Sequence, residues 1–521
     1  MEFRIGALSG LLYAAATPPS PLGFLGYFAL TPLLILLFDP EQLRHSVRPR
    51  IGMLALGHGL VRYMIQLHWL MLLGEASPLS FRWALPFMLV LLALYMTLAD
   101  FILLWLLMKI RDWVGAQAIW FFPGLWILLE WSRALGDMGF PWLRLATTQL
   151  SYVPMLQLAG LFGELGVSLF VAWINVFFAL SWQGFRGAFP TLGRATLSRW
   201  WAPAALVLFL FGNYGYGLWT ISQLEAEVGG DEPELSVGVV QANVSLMDKW
   251  NPAKRDSTFV PYTQLTRRVA SQGARLVVWP ETAIPLDIAR SAAYLELIRE
   301  LVRDNEIYLL AGFPEHVVTD TGLLDGHNSS FLMDDAGVIR DRYRKMHLLA
   351  FGERMPFQDL IPLISKLDFG QAEWTPGPTQ TVFDIDGHRF GVMICFESIF
   401  PNLAREAVRN GAGFLVNITN DGWFGDTVLP HQHAWMAVMR AAEHRVPLVR
   451  CANNGVSFWV DATGRVHDTT EVFERRSFTA TLRPRPGGSP YTRYGDAGLF
   501  LLVGLGFVYL VVVRRNQLRV R

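Results

Sequence analysis

Cys395 closes the apolar run Arg389-Phe390-Gly391-Val392-Met393-Ile394-Cys395 and is followed by Phe396-Glu397-Ser398. The run reads as a strand feeding a helix, and the positive end of a helix favours a thiolate, the nucleophilic form of cysteine. Two other segments hold groups that such a nucleophile needs. Trp279-Pro280-Glu281 offers a carboxylate at a strand end, able to take the thiol proton and later deprotonate an incoming nucleophile. Tyr343-Arg344-Lys345-Met346-His347 offers a cation, Lys345, able to lower the thiol pKa and to stabilise the oxyanion of a tetrahedral intermediate. Each has a plain alternative: a buried cysteine packing as a small hydrophobe, a glutamate solvating a turn, a lysine in a basic loop. Set between apolar membrane spans, a thiol nucleophile of this kind suggests acyl chemistry on lipids.

The chain has one other cysteine, Cys451, in strand-like sequence, where it reads as core. The two cysteines lack CxxC or Cys/His spacing, which argues against both a disulfide framework and a zinc site. His431, His433 and His444 show partial helical spacing but no completing ligand, so they read as packing or surface residues, and no metal or other cofactor is expected. Net charge is zero over 521 residues, and no basic patch interleaves with aromatics, which excludes the ordinary signature of a nucleic-acid partner.

The elements that must position these residues fall into two kinds. About half the residues are hydrophobic and 17% are charged, but unevenly so. Residues 1–225 are apolar with charges in short clusters, 233–485 read as a mixed α/β domain, and 497–513 are apolar again. Apolar runs measured against a bilayer predict eight spans: Gly6–Thr17, Leu22–Phe38, Gly52–Leu73, Trp83–Met108, Ala118–Trp131, Leu158–Trp182, Trp201–Thr220 and Ala497–Val513. Alternate connections carry Arg44, Arg48 and Arg50; Lys109 and Arg111; Arg186, Arg194 and Arg199; and the tail Arg514, Arg515, Arg519 and Arg521. That bias predicts cytoplasmic termini and an insert on the opposite face. His58, Arg62, Asp100, Glu130 and Glu164 lie within or near spans and read mainly as paired or interfacial groups.

Within the insert, β-branched runs alternate with helical patterns. Strands are predicted at Leu235–Gln241, Arg275–Trp279, Ile307–Gly312, Ser329–Met333, Thr381–Ile385, Arg389–Cys395, Gly413–Ile418, Leu448–Ala452, Ser457–Val460 and Ser477–Leu482. Helices are predicted at Thr258–Ser271, Ala292–Asp304, Phe400–Asn410 and His431–Glu443. The mixture fits a four-layer α-β-β-α sandwich, although periodicity alone leaves other α/β arrangements open.

In this order and context, Trp-Pro-Glu, Arg-Lys-x-His-Leu with Phe351-Gly352-Glu353, and Cys-Phe-Glu-Ser resemble the Glu-Lys-Cys triad of the nitrilase superfamily. The chain resembles one membrane-embedded branch, the bacterial apolipoprotein N-acyltransferases. Gln241-Ala242-Asn243, Asn420-Asp421-Gly422-Trp423-Phe424-Gly425, Asn453-Asn454-Gly455 and Gly139-Phe140-Pro141-Trp142 carry the likeness across nearly the whole chain. The resemblance implies Glu281 as general base, Lys345 as oxyanion stabiliser and Cys395 as nucleophile. It implies Glu353 as a second carboxylate beside the lysine, Glu397 as a supporting residue, and Trp250 as an aromatic near the mouth of the site. Phe396 departs from the family's usual tyrosine, so an aromatic wall rather than a phenol is expected there. The Gly-flanked loop with Asn420, Asp421, Trp423 and Phe424 reads as a lid or substrate contact.

The implied reaction moves an acyl chain from a membrane phospholipid, typically phosphatidylethanolamine, to the N-terminal amine of a diacylglyceryl-cysteine on an apolipoprotein. It needs no cofactor, and it implies a bacterial inner-membrane protein with a periplasmic catalytic domain. Two other readings use the same residues: a membrane-tethered amidase hydrolysing a small amide, and a transporter or sensor with an inactive module.

Overall fold

The computed structural model describes residues 1–39, 49–73, 82–186, 200–228, 234–318, 322, 324–361 and 373–519. Its N-terminal part is helical because long apolar stretches satisfy their backbone groups internally. Its longer helices are α1 Glu2–Ala16, α2 Thr31–Leu37, α3 Ile51–Gln66, α4 Leu85–Val114, α5 Phe122–Ser132, α6 Ala159–Phe185 and α7 Trp201–Val228. Among the described residues, three stretches are long and apolar enough to cross a membrane: Leu85–Ser132, Ala159–Phe185 and Trp201–Glu227. The first spans two helices, because a left-handed Gly115 and the 3-10 turn Gly115–Phe121 separate α4 from α5. Gly23–Leu37 and Ala497–Tyr509 are shorter apolar segments. Of the loop cations, Arg44, Arg48, Arg194, Arg199 and Arg521 lie outside the described residues.

His58, Arg62, Asp100, Glu130 and Glu164 each have a polar or aromatic partner. Arg133 contacts Asp100 at 2.7 Å, and Arg62 lies over the Tyr13 ring at 3.5 Å. His58 Nδ1 meets Ser9 Oγ at 3.0 Å. Glu130 accepts from Trp126 Nε1 and from the Leu145 backbone N–H.

From Leu235 onward, two six-stranded sheets face each other. The first has the order β12-β1-β2-β3-β4-β5, from β1 Leu235–Gln241, β2 Leu276–Val278, β3 Tyr308–Val318, β4 Leu324–Met333, β5 Ile339–Arg344 and β12 Arg476–Leu482. The second has the order β11-β10-β9-β8-β7-β6, from β6 Val382–Ile385, β7 His388–Ile394, β8 Phe414–Thr419, β9 Leu448–Ala452, β10 Phe458–Val460 and β11 Val466–His467. Strands β1, β2 and β3 run parallel, as do β7, β8 and β9. Covered on both faces, they are continuous apolar runs rather than alternating ones. Val237, Val239, Leu276 and Val278 of one sheet pack on Val392, Ile394, Val416 and Ile418 of the other. The outer faces are covered by helices α9 Arg255–Ser271 and α10 Ala292–Asp304, and by α11 Pro401–Arg409 and α12 Leu429–His444. A one-turn helix, α8 Leu246–Lys249, follows β1, and α13 Ala497–Arg519 ends the described chain.

Sequence periodicity misses β5 and β11. Strand β5 is a sheet edge whose Arg340, Asp341 and Arg342 are exposed, so it carries the charges that protect an edge instead of an apolar pattern.

Buried charges join the two parts of the molecule. Glu164 of α6 takes Arg144 at 3.0 Å and Arg440 of α12 at 3.0 Å, and its backbone N–H donates to Glu443 at 2.8 Å. Helix α6 kinks at Gly163, which is left-handed (φ 69°), and a Cβ there would lie 2.4 Å from the Tyr491 ring. Only glycine serves both conditions.

Candidate active site

Cys395 stands where β7 ends and the 3-10 turn Cys395–Ile399 begins, with a left-handed backbone (φ 54°). Such a conformation costs a non-glycine residue about 1–3 kcal/mol and persists only where its surroundings hold it. Three side chains meet its carbonyl: Asn417 Nδ2 at 3.3 Å, Ser398 Oγ at 3.2 Å and His433 Nε2 at 3.1 Å. The His433 ring is placed by Asp421, 3.0 Å from Nδ1, and Asp421 is placed by Arg450 at 3.0 Å.

Glu281 follows β2 and is buried. Its Oε1 accepts from Asn328 Nδ2 at 2.7 Å, and its Oε2 from the Asn420 backbone N–H at 2.9 Å. Gly312 backs it so closely that a Cβ would lie 2.8 Å from Glu281 Cα. Lys345 follows β5 and is 1% exposed. Its Nζ is 2.7 Å from Glu353 Oε2 and 3.6 Å from Glu281 Oε1. Asn328 also donates to Glu353 Oε1 at 2.9 Å, so one amide ties the two carboxylates that flank the ammonium. The Leu349 backbone N–H completes Glu353 at 2.8 Å.

Glu397 is fully buried and joins the lysine segment to the cysteine strand. Its Oε1 accepts from Tyr343 Oη at 2.8 Å and from the backbone N–H groups of Met346 at 2.7 Å and His347 at 3.0 Å. Its Oε2 accepts from the Ile394 N–H at 2.7 Å. Burial nonetheless pushes its carboxyl up to about 7.

The electrostatics differ from the sequence expectation of a thiol depressed by a helix dipole. Burial, reinforced by the Glu281 charge, pushes the Cys395 thiol well up, against the opposing field of Lys345. The turn that follows is five residues of 3-10 helix, too short for a macrodipole that could offset this. Burial likewise raises Glu281, with Lys345 opposing. Burial works against the Lys345 ammonium, but Glu353 and then Glu281 outweigh it and hold the amine above its ordinary value. These directions favour the neutral thiol, so a Cys395 acting as nucleophile would lose its proton as it attacks.

The remaining sequence candidates divide. Phe396 stacks on Phe140 at 6.0 Å and Trp142 at 6.3 Å, both from the loop after α5. These aromatics share a hydrophobic cluster with Tyr63, Leu89, Met96 and Phe400, and Cys395 borders that cluster. Trp250 and Trp423 are exposed at the surface, while Phe424 meets the Trp69 ring edge-on at 5.9 Å. Asn420 and Asp421, expected as lid or substrate contacts, are instead buried. The backbone of Asn420 holds Glu281, and Asp421 is locked between His433, Arg450 and Thr419. Their loop reads as mobile from its glycines, but the buried charge pairing that fixes it is invisible at the level of sequence. Cys451 is fully buried, its thiol donating to the carbonyls of Val278 and Val240 in the opposite sheet.

Sequence reasoning missed Asn328, Asn417 and His433. Asn417 sits inside an apolar strand, where a polar residue with no place in the pattern is itself the available signal, whereas Asn328 lies in the polar run 325–330 and stands out from nothing around it. His433 reads from sequence as packing or surface, because its partners Asp421 and Arg450 lie on other elements. Among the described residues, no His/Cys/Asp/Glu group could hold a metal ion.

The model of the carbon-nitrogen hydrolase family matches residues 236–483, and that of the apolipoprotein N-acyltransferase N-terminal domain matches residues 9–177. An apolipoprotein N-acyltransferase of Geobacter metallireducens is 32% identical over 523 residues, covering 99% of this chain and 96% of the relative. That of Vibrio cholerae is 29% identical over 97% of this chain and 95% of the relative. That of Gloeobacter violaceus is 32% identical over 97% and 92%.

Proposed function

The chain belongs to the apolipoprotein N-acyltransferase family, and from that premise we propose how its residues divide the reaction. It is a membrane acyltransferase of lipoprotein maturation, acting on lipid and lipoprotein substrates. In the first half-reaction, Cys395 Sγ attacks the acyl ester carbonyl of a phospholipid, with phosphatidylethanolamine as the donor. Glu281 takes the thiol proton as the S–C bond forms, and Lys345 stabilises the oxyanion. The C–O bond breaks, Glu281 returns the proton to the departing oxygen, and a lysophospholipid leaves. In the second, the α-amine of the diacylglyceryl-cysteine attacks the thioester. The C–S bond breaks and Cys395 regains a proton through Glu281.

Glu353 and Asn328 hold the lysine and base in register, and Glu397 sets the spacing of the lysine and cysteine segments. Trp250, Trp423 and Phe424 form the rim that meets acyl chains. Residues 1–225 and 497–513 form the membrane part and 233–485 the catalytic part, with eight spans, cytoplasmic termini and a periplasmic active site. The loop-cation bias supports that topology.

One observation carries the acyltransferase reading over an amidase. Cys395 borders an apolar cluster built jointly by the membrane helices and the catalytic domain, which suits an acyl chain and not a small polar amide. The test is mass spectrometry of the purified protein with a phospholipid of defined chain length, followed by a diacylglyceryl-cysteinyl peptide. A fatty-acyl adduct on Cys395 that chases into triacylated peptide is expected. Free fatty acid as the sole product would sink the reading.

A further inference from the structure

We propose that Lys249 accepts, through Glu281, the extra proton that the amine substrate carries into the second half-reaction. Lys249 ends helix α8, which Ser245 caps, and it directly precedes the exposed Trp250. It is 2% exposed, and among the described residues no carboxylate lies within ion-pairing distance of its amine. Its hydrogen bond is to the hydroxyl of Thr282 at 3.5 Å, and Thr282 is the left-handed residue (φ 46°) next to Glu281. The neighbouring charges are engaged elsewhere. Asp248 pairs with Lys254, while on α9 Asp256 accepts from Tyr294 Oη and Arg255 lies over the Tyr294 ring. Glu281, the residue before Thr282, is the charge whose field acts on Lys249. Burial pushes the amine down to about 7, with Glu281 opposing, so near neutrality a large share of it is uncharged and able to take a proton.

The inference rests on the acyltransferase reading, whose proton balance calls for such a group. Thioester formation is proton-neutral, because the thiol proton passes to Glu281 and on to the lysophospholipid oxygen. The acceptor differs: a terminal α-amine has a pKa of about 7.7–8.0, so near neutrality it arrives mostly as an ammonium. Ester plus ammonium gives amide, alcohol and a proton. Two protons must leave that nitrogen, one before attack and one as the C–S bond breaks. Were Glu281 to keep the first, no carboxylate would remain for the second. An uncharged Lys249 takes the first proton from Glu281 and restores the carboxylate. It releases that proton to solvent before the next cycle.

The experiment separates the half-reactions in the full-length protein, using phosphatidylethanolamine vesicles and a diacylglyceryl-cysteinyl peptide. Lys249→Met is expected to form thioester within about twofold of wild type and to transfer at least about tenfold more slowly near neutral pH. The loss should shrink as rising pH delivers the peptide already deprotonated. Lys249→Arg should be equally slow, since a guanidinium cannot take up a proton. Thr282→Val, which retains the lysine but removes its contact, should show the same selective loss and serves should Lys249→Met not fold. Equal slowing of both half-reactions, no slowing, or full activity of Lys249→Arg would overturn the role of Lys249 while leaving the acyltransferase reading intact. A wild-type protein that forms adduct but cannot acylate the peptide would overturn both.

Discussion

Glu397 accepts a 2.7 Å hydrogen bond from the backbone N–H of Met346, a residue 51 positions away in sequence. That bond, with those from His347 and Ile394, makes one buried carboxylate the spacer between the lysine segment and the cysteine strand. Glu397→Gln presents an amide to one of these donors, leaving buried N–H groups face to face at a cost of about 1–3 kcal/mol. We expect a lowered melting temperature and a loss of thioester formation of tenfold or more in a protein that still folds. An unchanged rate would show that the spacing is set by other contacts.

Asn328→Asp places a third carboxylate against Glu281 and Glu353. The added like charge raises Glu281 further. With Glu281 as the proposed base, thioester formation would require its carboxylate, so the rate should rise as pH passes upward through that pKa. In the wild type this acid limb should lie above the ordinary value of 4.5, and in Asn328→Asp it should move higher still, with a lower rate at neutral pH. A pH–rate profile of single-turnover acyl-enzyme formation measures both.

A raised thiol pKa means that Cys395 rests protonated. The ultraviolet thiolate band, taken as a difference against Cys395→Ala, should be absent at neutral pH, and small alkylating agents should react slowly without acyl substrate. Cys395→Ala should form no adduct, and Cys395→Ser very little. A thiolate band at neutral pH would mean that Lys345 outweighs burial.

Glu164 lies between Arg144 and Arg440, all three at most 5% exposed. Glu164→Ala leaves buried Arg144 without a carboxylate and Arg440 with Glu443 alone, and breaking a buried pair in this way typically costs about 3–5 kcal/mol. We expect a large drop in thermal stability and accelerated proteolysis between the helical and catalytic parts. Stability within 1 kcal/mol of wild type would show that the network is dispensable.

Cys451→Ala should retain transferase activity, because that thiol is enclosed in the inter-sheet core and contacts backbone carbonyls rather than the site. Loss of activity with unchanged stability is the contrary result.

Local pattern made much of this protein legible. Buried strands such as Leu448–Ala452 and helices such as Ala292–Asp304 announce themselves because burial repeats along a single element. Strand β5 does not, since an exposed edge needs charge and carries no apolar period. Within the candidate site, the order of Glu281, Lys345 and Cys395 is a property of the chain, and their motifs taken together carry the resemblance that implies base, cation and nucleophile.

Their relation to one another is not local. Asn328 joining Glu281 to Glu353, and His433 of helix α12 reaching the Cys395 carbonyl, depend on elements brought together across long stretches of sequence. So does the meeting of Phe396 with Phe140 and Trp142, which draws residues from both parts of the molecule. Composition and periodicity decided which segments are apolar, which are strands and which reactive side chains are present, because these follow from neighbours along the backbone. Folding alone decided the protonation of the thiol, the rigidity of the Asp421 loop and the apolar cluster beside the nucleophile. Desolvation and electric field depend on what packs around an atom in space, and that is set by the tertiary contacts.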